Sequence, residues 1–357
     1  MKIKVIVAGL SAVLCLSWGW VTEAQQVSLQ DALNQTGLVQ DAEKISDWFS
    51  NQLGSHLGFY AASGAITPGN PLGGLPHFEI GVGAGADLAS ISIGAFPKEA
   101  LTIINQQNLP LDQLPGGAGI PLPLPLWALH GNLGIFGGID IPLLTKIGSI
   151  DVGGKFGYVP KLNFGAGDVE SLLFGGQVRI GILQESLIIP GVSLSLGYDS
   201  ISGGFSIIQK DFIKDNQINV PVTVSGVSTT VNGTISGDID IKNTYNASAI
   251  GGKLLVSKGL LFIVPYAGVG FQLNSGQVKT TISPTVRFSN VGSSANLNIP
   301  IDPVTLTAGN PVNINSSDLR LIGGLELRII ILGLALEWNG KPDFSDNFVG
   351  LGVRLNI

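Results

Sequence analysis

Nine charged side chains offer this chain most of its chemistry: Glu79, Asp151, Lys155, Arg179, Arg320, Glu326, Arg328, Glu337 and Arg354. Each lies in a stretch where apolar and polar residues alternate two by two. An extended strand would put all nine on its polar side. Asp87, Asp140, Asp240 and Lys242 fall on that side by the same count. The signs are nearly balanced and spread over many segments. Such a set can pair across an enclosed space, because an unpaired buried charge is costly. It can also line a passage for small, neutral or partly apolar solutes, since an ion-selective pore would show an excess of one sign. Of the two, internal pairing is preferred.

Catalytic and metal chemistry finds less support. His56, His77 and His130 are scattered over a helix, a strand start and a loop end. No HExxH or GxSxG occurs, and no glycine-rich stretch leads from a strand into a helix as nucleotide motifs require. His77 with Ser90 is the least unfavourable nucleophile pair, and a pore-lining role for His77 outweighs it. Cys15 is the only cysteine and falls in the first 24 residues. Beyond it there is no thiolate, disulfide or cysteine metal site. No metal or cofactor is expected, and the chain reads as non-enzymatic. A net charge of −6 without a basic cluster speaks against nucleic acid as a partner.

The elements that must position the charges are strands. Phe78, Ile80, Val82, Ala84 and Ala86 alternate with Glu79, Gly81, Gly83, Gly85 and Asp87. Leu319, Leu321, Leu325 and Leu327 alternate with Asp318, Arg320, Glu326 and Arg328, with Ile322 as an exception on the polar side. Val349, Leu351, Val353, Leu355 and Ile357 alternate with Gly350, Gly352, Arg354 and Asn356. A soluble sheet would cover its apolar face with a second layer, whereas a membrane barrel turns it to lipid. Charged residues make up only 12% of the 357, with 50 glycines, and mean hydropathy is +0.40. High hydropathy split into short alternating segments suits a barrel wall. The fold expected is all-β, an antiparallel transmembrane barrel of 12–16 strands, with 14 as the centre of that range.

Three stretches interrupt the wall. Residues 97–125 carry prolines at positions 97, 110, 115, 121, 123 and 125 and read as a long connection, since proline cannot donate to a ladder. Residues 211–250 are polar, with a hairpin turn expected at Asn232-Gly233 and projection beyond the wall. Residues 289–317 read as a second long loop.

The N-terminal part differs. Lys2 and Lys4, an apolar run and Thr22-Glu23-Ala24 describe a secretory signal over residues 1–24, cleaved after Ala24. Residues 25–74 form a helical segment and linker. There Ile45, Trp48, Phe49, Gln52, Leu53 and Leu57 make one stripe of an amphipathic helix of about four turns. That helix would plug the lumen, lie in the periplasm as a docking element, or cover the barrel mouth with no partner role, the last being preferred. The barrel is assigned to residues 75–357.

The closing residues carry a family resemblance. Gram-negative outer-membrane barrels end in a signal with a glycine followed by two alternating large apolar residues, and Gly352, Leu355 and Ile357 resemble it. Gly350 stands where a polar residue is typical, and Ile357 replaces the usual aromatic terminus. The resemblance implies the bacterial outer membrane, its lipid and the barrel-assembly machinery as partners. It also implies a porin-like, passive channel or transporter for an unidentified small solute. A closed barrel serving adhesion or docking through the three interrupting stretches is the alternative. A secreted soluble β-sandwich that binds carbohydrate or protein is the third reading.

Overall fold

The computed structural model describes residues 38–63, 71–87, 90–92, 119–121, 124–142, 145–163, 167–224, 227–293, 304–305 and 307–357. The proposed signal, residues 25–37 and most of the proline-rich connection lie outside the described residues. Ten antiparallel strands form one closed sheet. They are β1 Phe78–Asp87, β2 Leu124–Phe136, β3 Ser149–Asn163, β4 Gly167–Leu183 and β5 Gly191–Val224. β6 Val227–Ser257, β7 Ile263–Ser293, β8 Pro311–Ile329, β9 Leu332–Gly340 and β10 Asn347–Asn356 complete it. Each strand pairs with the next, and β10 closes the ring on β1 from Glu79↔Asn356 to Asp87↔Phe348. No edge is left inside the wall, so its backbone groups pair throughout. This single closed wall replaces the two-layer sandwich considered above.

The count is ten where fourteen was expected. β5, β6 and β7 run 34, 31 and 31 residues, about three times the 9–11 that a tilted membrane strand needs. Local alternation breaks within them, so each reads as several short strands. β4 pairs with β5 only as far as Ile207, and β8 with β7 only as far as Lys279. Beyond those points the three long strands continue as a ribbon. Asn232-Gly233 is not its hairpin turn; the reversal falls between Val224 and Val227, which pair. Asn232-Gly233 instead lies opposite a register shift in which β7 carries the extra residue of a bulge.

Two loop expectations also shrink. β7 continues to Ser293, β8 begins at Pro311, and Val304–Thr305 pairs with β7, leaving a shorter connection than 289–317. β2 already begins at Leu124 and includes Pro125. Proline is tolerated there because pairing of β2 with β3 starts only at Leu129. Its missing N–H therefore has no ladder to break on that side.

Along the wall the outward residues are aliphatic and aromatic, among them Ile80, Leu129, Phe156, Phe174, Leu196, Phe271 and Leu351, all exposed. Their alternating neighbours are buried or half-buried. Trp127, Tyr158, Tyr198 and Trp338 stand toward the end with the longer connections, where rings with a polar atom favour a membrane interface. Among the described residues no helix is long and apolar enough to cross a membrane; the strands cross instead.

The helix α1 runs Leu38–Ala61, longer than the four turns expected. It lies within the barrel, against the inner faces of β7 and β8. Ile45, Phe49, Leu53 and Leu57 are buried, and so are Ser46, Ser50, Gly54 and Gly58 on another face.

Candidate functional site

The interior is filled in two ways. Toward the short-turn end, near the start of β1, the filling belongs to the wall. Arg354 of β10 bridges Glu79 of β1 and Glu326 of β8, with Nη2 2.6 Å and Nε 2.8 Å from Glu326 Oε1. Glu326 Oε2 also accepts from Arg328 at 2.9 Å. On the other flank Asn132 donates to Glu79 at 2.8 Å, and Gln177 to Asn132 at 3.0 Å. Arg179 grips Asp151 through Nε at 2.8 Å and through its terminal nitrogen at 2.7 Å. One hydrogen-bonded chain thus runs along the inner wall from β4 through β2, β1 and β10 to β8. Charges this deeply buried persist only when paired and hydrogen-bonded on several sides.

Toward the opposite end α1 takes over. Ala42, Ser46, Ser50, Gly54, Gly58 and Ala62 recur every four residues and so form one ridge. Ser46 donates to the Thr280 carbonyl at 2.5 Å, and Ser50 to Thr280 Oγ1 at 2.8 Å. At Gly54 a Cβ would touch Ile314 at 3.3 Å and Val278 at 3.8 Å. At Gly58 a Cβ would overlap the Asn274 side chain. Small residues let the helix axis approach the wall closely, although each glycine weakens the helix itself by about 1 kcal/mol.

Two cations hold the helix C-terminus. Lys155 Nζ donates to the Ala61 and Ser63 carbonyls at 2.9 and 2.8 Å, and pairs with Asp199 at 3.0 Å. Arg320 donates to the Ala62 carbonyl at 3.3 Å, to Gln272 at 3.0 Å and to Asn339 at 2.9 Å, and lies over the Phe59 ring. Helix-terminal carbonyls lack partners within the helix, and the dipole there favours positive charge. Higher up, His56 contacts Asp346, whose other oxygen is 2.5 Å from Lys341. Asp346 is thus already matched by Lys341. Burial and the Lys341 ammonium push the His56 pKa down to about 4, against a smaller opposing pull from Asp318.

Under the helix end lies a cavity of about 70 Å³, lined by His130, Lys155, Lys253, Gln272, Arg320 and Glu337 among others. That is room for several waters and their polar partners. Tyr266 donates to Glu337 at 3.1 Å beside it, and Tyr266, Leu255 and Ile322 form an apolar knot.

Of the nine charges named from sequence, eight are buried or nearly so inside the barrel, and Arg328 is a third exposed near the end of β8. Three further assignments change. Asp140 lies exposed in a small hairpin with Lys146 outside the ring. Asp240 and Lys242 are exposed, whereas Ile239 and Ile241 face inward. In the ribbon the polar residues thus face outward and the apolar ones inward, the reverse of the lower wall. The Asp87 side chain is outside the described residues.

His130 belongs to the inner face of β2, 3.9 Å from Glu79, and not to a loop end. His77 precedes β1 while Ser90 follows its far end, so a ten-residue strand, roughly 33 Å, separates the nucleophile pair considered above. Lys253 and Asp199 were missed as site charges. Lys253 precedes Leu254-Leu255-Val256, an apolar run that hides its parity. The four-residue spacing of small residues in α1 was legible, but the larger apolar stripe drew the reading. Gly352 faces inward, and Leu355 and Ile357 face outward, with Ile357 pairing its backbone to Phe78 at 2.8 and 2.9 Å.

No family model matches this chain, and no curated protein matches it. Among solved structures it is similar to the transport unit of the autotransporter AIDA-I from Escherichia coli, with 9% identity, TM-score 0.29, and 85% of this chain and 97% of that one covered. It is also similar to the P. putida toluene transporter TodX, with 8% identity, TM-score 0.24, and coverage of 81% and 92%. A Pseudomonas aeruginosa FadL homologue gives 9% identity, TM-score 0.23, and coverage of 84% and 96%. Likeness at this level is distant, and the class follows from the wall itself. A closed antiparallel ring, apolar outside and charged within, is the construction of a bacterial outer-membrane β-barrel.

Proposed function

We propose that this protein is an outer-membrane channel stoppered by its own N-terminal helix, and a passive route for small, neutral or partly apolar solutes when α1 moves aside. One observation carries the reading. α1 occupies the lumen, yet it is held there only by side chains and two capping cations, with no strand pairing to the wall. Such contacts can be exchanged for water without opening the ring. The charges around the waist are mixed in sign, Lys155, Lys253 and Arg320 standing with Asp199 and Glu337, which suits uncharged cargo better than a lining of one sign would. In this reading Glu79, Asp151, Arg179, Glu326, Arg328 and Arg354 shape the passage and bind no solute tightly. Gly352, Leu355 and Ile357 serve recognition by the assembly machinery.

Planar-bilayer recording tests it. The full chain is expected to show rare, brief openings, and a chain lacking residues 38–61 stable conductance steps with weak preference for either ion sign. Silence from the deleted chain, with normal heat-modifiable migration, would sink the channel. The β5–β7 ribbon favours a second reading in that case. A three-stranded extension well beyond membrane thickness suits a closed barrel that presents a docking surface.

A further inference from the structure

The two ends of the barrel differ in what their tips present. At the end where β1 begins, the turns are aliphatic. Leu187 and Ile188 between β4 and β5 are 95% and 85% exposed, Leu261 between β6 and β7 is 97% exposed, and Ile330 between β8 and β9 is 92% exposed. Leu75, Leu260, Phe262, Ile331 and Ile357 are exposed beside them. Tips of short turns are usually Gly, Asn or Asp.

Here Leu261 and Ile330 even occupy the left-handed region, with φ of 60° and 56°. Glycine would fit there without steric penalty, and a β-branched residue is a true outlier. These positions hold large aliphatic groups in spite of the backbone, which marks the side chains as useful where they are.

A second observation says what surrounds them. Several polar groups beside these tips are spent inside the protein. Lys258 Nζ donates to the carbonyls of Ser186, Leu187 and Ile189 at 2.7, 2.8 and 3.4 Å. Glu185 accepts the Gly259 N–H. Leu260 and Ile263 exchange backbone bonds at 2.7 and 3.1 Å, and the Ile331 and Phe262 carbonyls accept from Asn356 and Arg328 at 2.8 and 2.7 Å. A turn in water has no need of an ammonium that gives all three protons to its carbonyls. A turn in hydrocarbon does, because nothing else there can satisfy them.

The tips are also continuous with the lipid-facing belt. Phe262 leads into Ile263, Val269 and Phe271, and Ile330 and Ile331 lead into Leu334 and Leu336. This end carries no exposed Tyr or Trp girdle among the described residues. We infer that the turns between β4 and β5, β6 and β7, and β8 and β9 are sunk in the acyl region of the bilayer, so that lipid is the partner of this end of the barrel. The hairpin carrying Asp140 and Lys146 is the polar exception, and it places the β2–β3 side in water. The barrel therefore sits obliquely, deepest at β6–β9.

The inference rests on the membrane reading of the wall, and the test separates the two. A fluorophore is attached to single cysteines, Leu187→Cys, Leu261→Cys, Ile330→Cys, Val269→Cys and Asp140→Cys, each with Cys15→Ser. Each protein is refolded into phosphatidylcholine vesicles with plain or acyl-brominated lipid, and folding is checked by heat-modifiable migration. The three tips and Val269 are expected to lose at least half their emission in brominated lipid, and Asp140 to lose almost none. Unquenched tips beside a quenched Val269 would overturn the inference and leave the barrel in its membrane. An unquenched Val269 would overturn both. Tips unquenched in pure lipid but protected in native envelopes would point to a protein partner in place of lipid and would also overturn it.

Discussion

The lower and upper halves of the lumen are filled by opposite means. Below, strands that are neighbours or next but one in the ring supply both partners of each ion pair, as in Glu79, Arg354 and Glu326. Above, a separate helix supplies small residues and hydroxyls, and the wall supplies Thr280, Val278, Ile314 and Asn274. Removing the lower filling means breaking the wall. Removing the upper filling means undocking one element. The difference teaches that only the upper half is built to change, because its contacts are local, individually modest and replaceable by water.

The sharpest way to break the contrast is Glu326→Ala, which strands the Arg354 guanidinium beside Glu79 alone. Leaving a buried charge uncompensated typically costs about 3–5 kcal/mol. It should lower the temperature at which the barrel unfolds on a heat-modifiability gel, with α1 present or deleted. An unchanged temperature would mean that the network adds nothing to the wall. Gly58→Leu comes next. Overpacking against Asn274 should weaken docking by about 1–3 kcal/mol, seen as faster proteolysis of α1 with the barrel band intact. Loss of the barrel band instead would show that the halves are one unit.

Acid acts on the upper half through His56. Its docked pKa is lowered to about 4, against about 6.5 for a free histidine. The contribution is therefore complete above pH 6.5 and is lost as pH falls toward 4, by about 2 kcal/mol at pH 5. The protection of α1 against hydrogen exchange, taken relative to the intrinsic rate at each pH, should fall between pH 7 and 5, and His56→Asn should flatten that fall. A slope unchanged by the variant would remove His56 from the latch. The smallest effect belongs to Arg328→Ala. Its pair with Glu326 is a third exposed, so below about 1 kcal/mol is expected, with Glu326 still held by Arg354.

The wall was largely legible because lipid outside and charge inside force a period of two. In the strand from Pro311 to Ile329 even the exception proved informative: Ile322 faces inward to meet Leu255 and Tyr266. What was not legible follows from competing physics. In the ribbon, water lies outside, so Ile239 and Asp240 exchange the sides that lipid would dictate. Strand number was lost with it, since a 34-residue strand changes its solvent partway along. The helix misled differently. Its apolar stripe is real, but within a lumen every face is buried, and the face that sets its distance from the wall is marked by Ser46, Ser50, Gly54 and Gly58.

The pairing of β1 with β10 has a consequence for the order of folding. Glu79 and Arg354 stand 275 residues apart in the chain and meet only across that seam. Until the ring shuts, Arg354 has Glu326 but not Glu79, and Glu79 has Asn132 but no guanidinium; once it shuts, Glu79, Asn132, Glu326 and Gln177 fall into register together. Contacts this distant in sequence form late, after many shorter ones. The last step of folding is therefore also the most cooperative, and a half-zipped barrel is penalised at the residues that will later sit deepest inside it.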